Sequence, residues 1–124
     1  MASGVSLHCE AGEKVPRRND LLKLARRVVR GEKLKGQVNT VFCPDSHVRT
    51  LNRQYRGLDR VTDVLSFGWE EPDFAGEVFI SNAQAKRQFK RFKNTYFEEL
   101  RRLVVHGLLH ICGYDHLKTR DRLI

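Results

Sequence analysis

The sequence predicts an α+β domain in which a small mixed four-stranded sheet packs with about four to five helices. The prediction rests first on the order of patterns along the chain: strand, helix, strand, helix, strand, strand, helix, helix. It rests also on length, because 124 residues can form one core but not two. Residues 1–124 are therefore expected to be a single domain.

The first two elements are a strand and an amphipathic helix. Residues 4–9 alternate in part, which predicts a strand. Asn19 or Asp20 can cap a helix that ends at Gly31. Its apolar stripe would consist of Leu21, Leu24, Ala25, Val28 and Val29.

A second strand and helix follow. Residues 38–43 are rich in β-branched side chains and alternate in polarity, as strands do. Pro44 and Asp45 then turn the chain into a helix that is expected to end near Gly57. The residues expected to point inward from this helix are Val48, Leu51 and Tyr55.

The second half of the chain predicts two strands and two helices. Residues 64–67 and 77–81 read as strands, and the glycine, proline and acidic residues of 68–75 predict a mobile loop between them. Capping-box patterns open both helices. They are formed by Ser81 with Gln84 and by Thr95 with Glu98, and the apolar residues Leu100, Leu103, Val104 and Leu108 follow the second box.

Composition narrows the class of protein. No apolar stretch approaches the roughly 18 residues that span a membrane, and residues 1–10 lack the pattern of a secretory signal, so a cytoplasmic protein with no membrane partner is expected. Three scattered cysteines argue against a disulfide framework, and Cys112 is expected in the core.

The net charge of +8 favours a nucleic-acid partner. The basic clusters are Arg26, Arg27, Arg30, Lys33 and Lys35; Lys86, Arg87, Lys90, Arg91 and Lys93; and Arg101 with Arg102.

Three histidines near the end of the chain predict a catalytic zinc site. His106 and His110 are four apart, so a helix projects both from one face. Gly113 can end that helix in a left-handed conformation and bring His116 back to the same point. Three imidazoles with an open fourth position are typical of zinc that keeps a bound water. Metzincin proteases share this spacing but carry a glutamate general base where this chain has Gly107, which disfavours peptidase chemistry.

A second group of polar residues precedes the third strand. Arg56 stands between Tyr55 and Gly57 at a predicted helix end, where a held guanidinium could bind phosphate. An exposed arginine without special function is the alternative. Asp59, Asp63 and Glu77 could be caps, partners that orient a metal ligand, or a base.

These motifs resemble the YbeY family of rRNA maturation factors. The resemblance is carried by residues 55–57, 62–67, 76–81 and above all 106–116, and it spans about residues 38–116. Glu77 stands where the family usually has aspartate, and Val61 and Gly68 stand where proline is common. The resemblance implies an α+β fold and a metal-dependent endoribonuclease that acts on single-stranded RNA.

The resemblance also implies roles for individual residues. His106, His110 and His116 would bind one zinc ion, with Arg56 and His106 in the catalytic site. Apart from the resemblance, Asp63, Glu77 and Asp115 are candidates to orient a metal ligand from the surrounding shell. The implied process is maturation of the 3′ end of small-subunit rRNA and ribosome quality control, with the small ribosomal subunit as partner. The alternatives are a ribosome-binding assembly factor whose zinc is mainly structural, and a metal-dependent hydrolase of another substrate.

Overall fold

The computed structural model describes residues 4–114, except for the side chain at position 70. Its elements are β1 (Gly4–Cys9), α1 (Arg18–Gly31), β2 (Gln37–Cys43), α2 (Asp45–Arg56), β3 (Val64–Glu71), β4 (Phe74–Ser81), α3 (Asn82–Gln88), a 3₁₀ turn (Phe89–Phe92) and α4 (Tyr96–Ile111). The predicted α+β class and element order are confirmed. Within the described range, no helix is long and apolar enough to cross a bilayer.

The four strands form one mixed sheet in the order β1-β2-β4-β3. β1, β2 and β4 are parallel, and β3 runs antiparallel to β4 at the edge. Five of the seven residues of β2 are buried, because helices cover both faces of the sheet at this strand. The mixed sheet is as predicted.

The helices divide between the two faces of the sheet. α1 and α4 share the larger core with one face, through Leu21, Ala25, Leu103, Leu108 and their neighbours. α2 covers the other face, where Val48 packs with Val41, Cys43 and Leu65. The chain therefore leaves β1 toward one face and leaves β2 toward the other.

The predicted mobile loop at 68–75 is wrong. β3 and β4 continue through it as a hairpin, with Gly68 opposite Gly76 and Glu71 opposite Phe74. Only residues 72–73, a proline and an aspartate suited to a tight turn, lie outside the strands. The backbone of Gln37 on β2 donates to the Asp73 carbonyl at 2.9 Å, which ties this turn to the sheet.

Two details of the helices also differ from expectation. α1 begins at Arg18, and its cap position is Arg17 in a left-handed conformation, not Asn19 or Asp20. Asp20 instead forms an ion pair with Arg17 at 2.8 Å. Tyr55, expected to point inward, is 68% exposed, because it lies in the last turn of α2, where its ring packs edge-on with Phe67 at a centroid distance of 5.4 Å.

Candidate active site

Helix α4 carries the first two histidines of the predicted metal site. The predicted capping box fixes its start: Thr95 Oγ1 accepts from the Glu98 amide at 3.1 Å, and the Glu98 carboxylate accepts from the Thr95 amide at 2.8 Å. The predicted apolar stripe then anchors the helix on the sheet. Its fully buried members are Leu100, Leu103, Val104 and Leu108.

His106 and His110 lie one turn apart on α4, and both are half-buried. They line the same cavity, of about 120 Å³, together with Leu109 and Tyr114. Beyond them Gly113 takes the predicted positive φ, 104°, and its amide donates to the His110 carbonyl at 3.1 Å. Helix α4 therefore ends at Ile111, just before Gly113, as the sequence predicted.

The other residues of this motif lie outside the described residues or are less buried than predicted. His116 and Asp115 lie outside the described residues, so their places in the site stay predictions. Cys112, expected in the core, is only half-buried because it occupies the cap position at the end of α4. Burial raises the pKa of its thiol.

Gly107 places the histidine-bearing helix unusually close to the sheet. A Cβ at this position would lie 2.4 Å from Val78 Cγ1 and 3.3 Å from Ser66 Oγ. No side chain larger than hydrogen fits without a shift. Position 107 therefore lacks the glutamate of the proteases and must also stay without a side chain for the helix to pack on the sheet. The sequence alone does not reveal this second requirement.

Arg56 ends α2, and Gly57 follows it with φ 69°. The Arg56 guanidinium donates to the Ser66 carbonyl on β3 over a long 3.5 Å, and the Ser66 hydroxyl donates to the Gly107 carbonyl at 2.9 Å. One residue of the edge strand therefore connects the end of α2 with the histidine helix. The predicted held arginine has a partner, although that partner is a backbone oxygen.

A basic cleft lies beside His106 between α1 and α4. His106 lines it together with Leu24, Arg101, Arg102 and the acidic Glu98, and the open space measures about 550 Å³. Leu24 and Arg101 also line the next groove, of about 290 Å³. The cations of that groove are Arg17, Lys23, Arg27 and Arg101, with Asp20 and Phe97 among them.

Comparison with known proteins decides the family. The family model described as Endoribonuclease YbeY matches residues 8–124. The chain belongs to the YbeY endoribonuclease family.

The relatives of the chain carry the same name. Endoribonuclease YbeY of Endomicrobium trichonymphae is 45% identical over 76% of this chain and 68% of its own length. Endoribonuclease YbeY of Desulforamulus reducens is 36% identical over 90% of this chain and 84% of its own length. A Thermotoga maritima protein known from its solution structure superposes with a TM-score of 0.63 at 32% identity, covering 90% of this chain and 74% of that one. The family resemblance of the sequence is thereby confirmed.

The YbeY motif residue Asp63 belongs to a buried polar network beside α4. Its carboxylate accepts from Gln88 Nε2 at 2.9 Å and lies 3.6 Å from the Arg102 guanidinium. Gln88 and Arg102 also donate hydrogen bonds, each of 2.6 Å, to the carboxylate of Glu99, whose side chain is fully buried. Burial raises the pKa of Glu99, but the hydrogen bonds from Arg102 and Gln88 outweigh it and hold that pKa below its usual value.

Glu77, which the sequence predicted as another supporting residue, lies on the opposite face of the sheet from α4. It lines a cavity of about 250 Å³ with Leu51, Gly68 and four aromatic side chains, which are Tyr55, Phe67, Trp69 and Phe79. The structure thus places Asp63 next to the histidine helix and Glu77 within an aromatic pocket. A supporting role for either stays a prediction.

Sequence reasoning missed one group of side chains that could hold a metal ion. Ligand atoms of Glu10, Cys43 and His47 all lie within 4.8 Å of one another. Burial raises the pKa of the Cys43 thiol to about 12, and Glu10, Glu13 and Asp45 add to the effect. No sequence pattern indicates this group, because it forms only where the parallel register of β1 and β2 aligns the ends of the two strands.

Proposed function

We propose that this YbeY-family chain is a zinc-dependent endoribonuclease that cuts single-stranded RNA. The observation that carries the proposal is that His106 and His110 line one cavity, and that His106 also lines the basic cleft beside it. By family analogy the substrate is rRNA within the small ribosomal subunit, the process is maturation of its 3′ end and ribosome quality control, and the compartment is the cytoplasm.

The donor set fits a catalytic zinc ion. Two imidazoles one turn apart on a helix can share a metal, and His116 would supply the third ligand, with Asp115 orienting one of the rings. Zinc in such a site lowers the pKa of a bound water toward neutrality and polarises a phosphoryl oxygen. His106 and His110 would bind the ion in their neutral form, so activity would require a pH at which they are deprotonated.

Arg56 would stabilise the charge that develops on the cleaved phosphate. Its guanidinium is positioned at the edge strand by the Ser66 carbonyl, and Ser66 bonds the backbone next to His106. A planar guanidinium can donate to two phosphate oxygens at once. A weak 3.5 Å bond to a neutral oxygen is readily exchanged for such a charged partner.

The basic cleft would hold the RNA strand by its backbone. Lys23, Arg27 and Arg101 are exposed along it, and Arg101 borders both of its parts. Contacts to phosphates carry little sequence information, so the cleft would accept many sequences. Family analogy, more than the cleft itself, points to the ribosome as the place of action.

The proposal is tested by cleavage of one RNA sequence presented as a single strand and as a duplex. We expect cleavage of the single strand, its loss on chelation and its recovery when zinc is restored. Cleavage that persists in chelator, or that ignores strandedness, contradicts the proposal. RNA binding without any cleavage, together with unfolding on chelation, would instead support an assembly factor with structural zinc.

A further inference from the structure

The loops after β1 and β2 diverge at one edge of the sheet. The chain passes from β1 to α1, which packs on one face, and from β2 to α2, which packs on the other. Because β1 and β2 are parallel neighbours, the segments that follow them separate outside the carboxyl ends of these strands, and we call the space between the two segments the crevice. In open α/β sheets such a divergence point is the usual place for a bound ligand.

Three potential metal ligands converge in that crevice, each from a different segment. Glu10 directly follows β1, and its amide donates to the Phe42 carbonyl at 3.0 Å. Cys43 is the last residue of β2. His47 lies in the first turn of α2, where its ring packs edge-on against Phe79 at 5.5 Å.

The ligand atoms lie near the spacing that a small cation needs. Glu10 Oε2 and His47 Nδ1 are in direct contact at 2.7 Å, and the Cys43 sulfur is within 4.8 Å of both ligand atoms. Tetrahedral zinc, with bonds of about 2.0–2.3 Å, needs its ligand atoms roughly 3.3–3.7 Å apart. Small rotations of the Glu10 and His47 side chains would meet that requirement.

The surroundings favour a positive charge and allow it to enter. Glu10, Glu13 and Asp45 all act electrostatically on the Cys43 sulfur. Asp45 is also paired with Arg87 at 2.7 Å, so its charge is partly neutralised. The Cys43 side chain is fully buried, whereas the side chains of His47 and Glu10 are 34% and 29% exposed, so the crevice opens to solvent on their side.

We propose that Glu10, Cys43 and His47 form a second metal site, selective for zinc-type cations and separate from the His106–His110 site. A thiolate, an imidazole and a carboxylate form a donor set that such ions prefer, whereas magnesium and calcium prefer oxygen ligands alone. Water would complete the coordination on the exposed side. The ion would tie the loop after β1 to the start of α2.

Cobalt(II) distinguishes this site from the histidine site, because a cobalt–thiolate bond gives a near-ultraviolet charge-transfer band and cobalt–imidazole bonds do not. The probe is cobalt(II) titrated into the reduced full-length chain in the His110→Ala background. We expect a thiolate band that saturates at about one equivalent. Cys43→Ser should abolish the band, and His47→Asn should weaken cobalt binding at least about tenfold.

Cys9→Ser and Cys112→Ser are the matched controls. Cys9 packs toward the α1 face of the sheet, and Cys112 ends α4, so the band should survive in both. The proposal is overturned if wild-type protein gives no band, if the band persists in Cys43→Ser, or if it vanishes in Cys112→Ser. Should Cys43→Ser fail to fold, unchanged cobalt affinity in His47→Asn overturns it equally. This result is independent of RNA cleavage, which the first site alone would determine.

Discussion

At position 107 the absence of a side chain sets the distance between α4 and the sheet. We expect Gly107→Ala to lower the free energy of unfolding by about 1–3 kcal/mol, because the new methyl would overlap Val78 Cγ1 at 2.4 Å. Gly31→Ala is the control: it lies at the end of α1 with nothing within 4 Å. Urea denaturation of both variants tests the account, and equal stabilities would contradict it.

Comparing lysine variants of Arg56 and Arg26 tests whether Arg56 is a catalytic residue. If Arg56 stabilises the transition state, Arg56→Lys should keep fold, metal and most RNA affinity, since the charge remains. Cleavage should nonetheless fall on the order of a hundredfold, because lysine cannot donate in the same bidentate geometry. Arg26→Lys, at an exposed position of α1, should leave the single-turnover rate unchanged. A rate unaffected by Arg56→Lys would move the catalytic role elsewhere.

Glu99 makes the stability of α4 depend on pH. Burial alone would raise its pKa, but Arg102 and Gln88 hold that pKa below the unfolded value, so folding favours the charged form. This stabilisation is complete above the unfolded value, near pH 4, and is lost as the pH falls through the folded pKa. Glu99→Gln should therefore lower stability at neutral pH and flatten its acid dependence in urea titrations.

Asp20→Asn is the control for the acid dependence. Asp20 is paired with Arg17, but their side chains are 46% and 63% exposed, and such pairs contribute little. An acid dependence that Asp20→Asn alters as much as Glu99→Gln would show that the buried network is not its source.

At the scale of elements, α1 and α4 together form the proposed RNA cleft. Arg27→Gln and Arg101→Gln should each weaken binding of single-stranded RNA and reduce the slope of log affinity against log salt by about one. Arg91→Gln, an exposed cation outside the cleft, is the control. Filter binding across a salt series gives the slopes. Equal effects at all three positions would mean that net charge, and not this cleft, attracts RNA.

The elements that could be predicted are those specified by local chemistry. The Thr95–Glu98 box, the apolar stripe of α4 and the turn at Gly113 all depend on neighbours in sequence. The hairpin at 68–75 could not be predicted, because glycines that suggest a loop are also tolerated where strands pair, as Gly68 and Gly76 do. Tyr55 was misplaced because helical spacing gives a face but not where the sheet beneath it ends.

The same distinction holds for the candidate site. Spacing alone predicted that His106 and His110 project from one face of a helix, and in the structure both line one cavity. The link from Arg56 through Ser66 to Gly107 spans three elements, and only the folded chain shows it. The group of Glu10, Cys43 and His47 likewise depends on which strands are neighbours, which residue patterns do not specify.

For the whole molecule, the fold separates two kinds of site. The end of α4 brings histidines to a basic cleft, whereas the carboxyl edge of β1 and β2 gathers a thiol, an imidazole and carboxylates. With a net charge of +8, the molecule as a whole attracts polyanions, so encounter with RNA needs no special site but cleavage does. The histidine site is therefore the feature on which the proposed function depends.

That claim is tested most directly by measuring metal content and single-turnover cleavage of single-stranded RNA on the same protein samples. His110→Ala should lose cleavage together with the metal held at the end of α4, while remaining folded. His8→Ala, at an exposed position of β1, should match the wild type in both quantities. Wild-type cleavage by a folded His110→Ala protein would contradict the account.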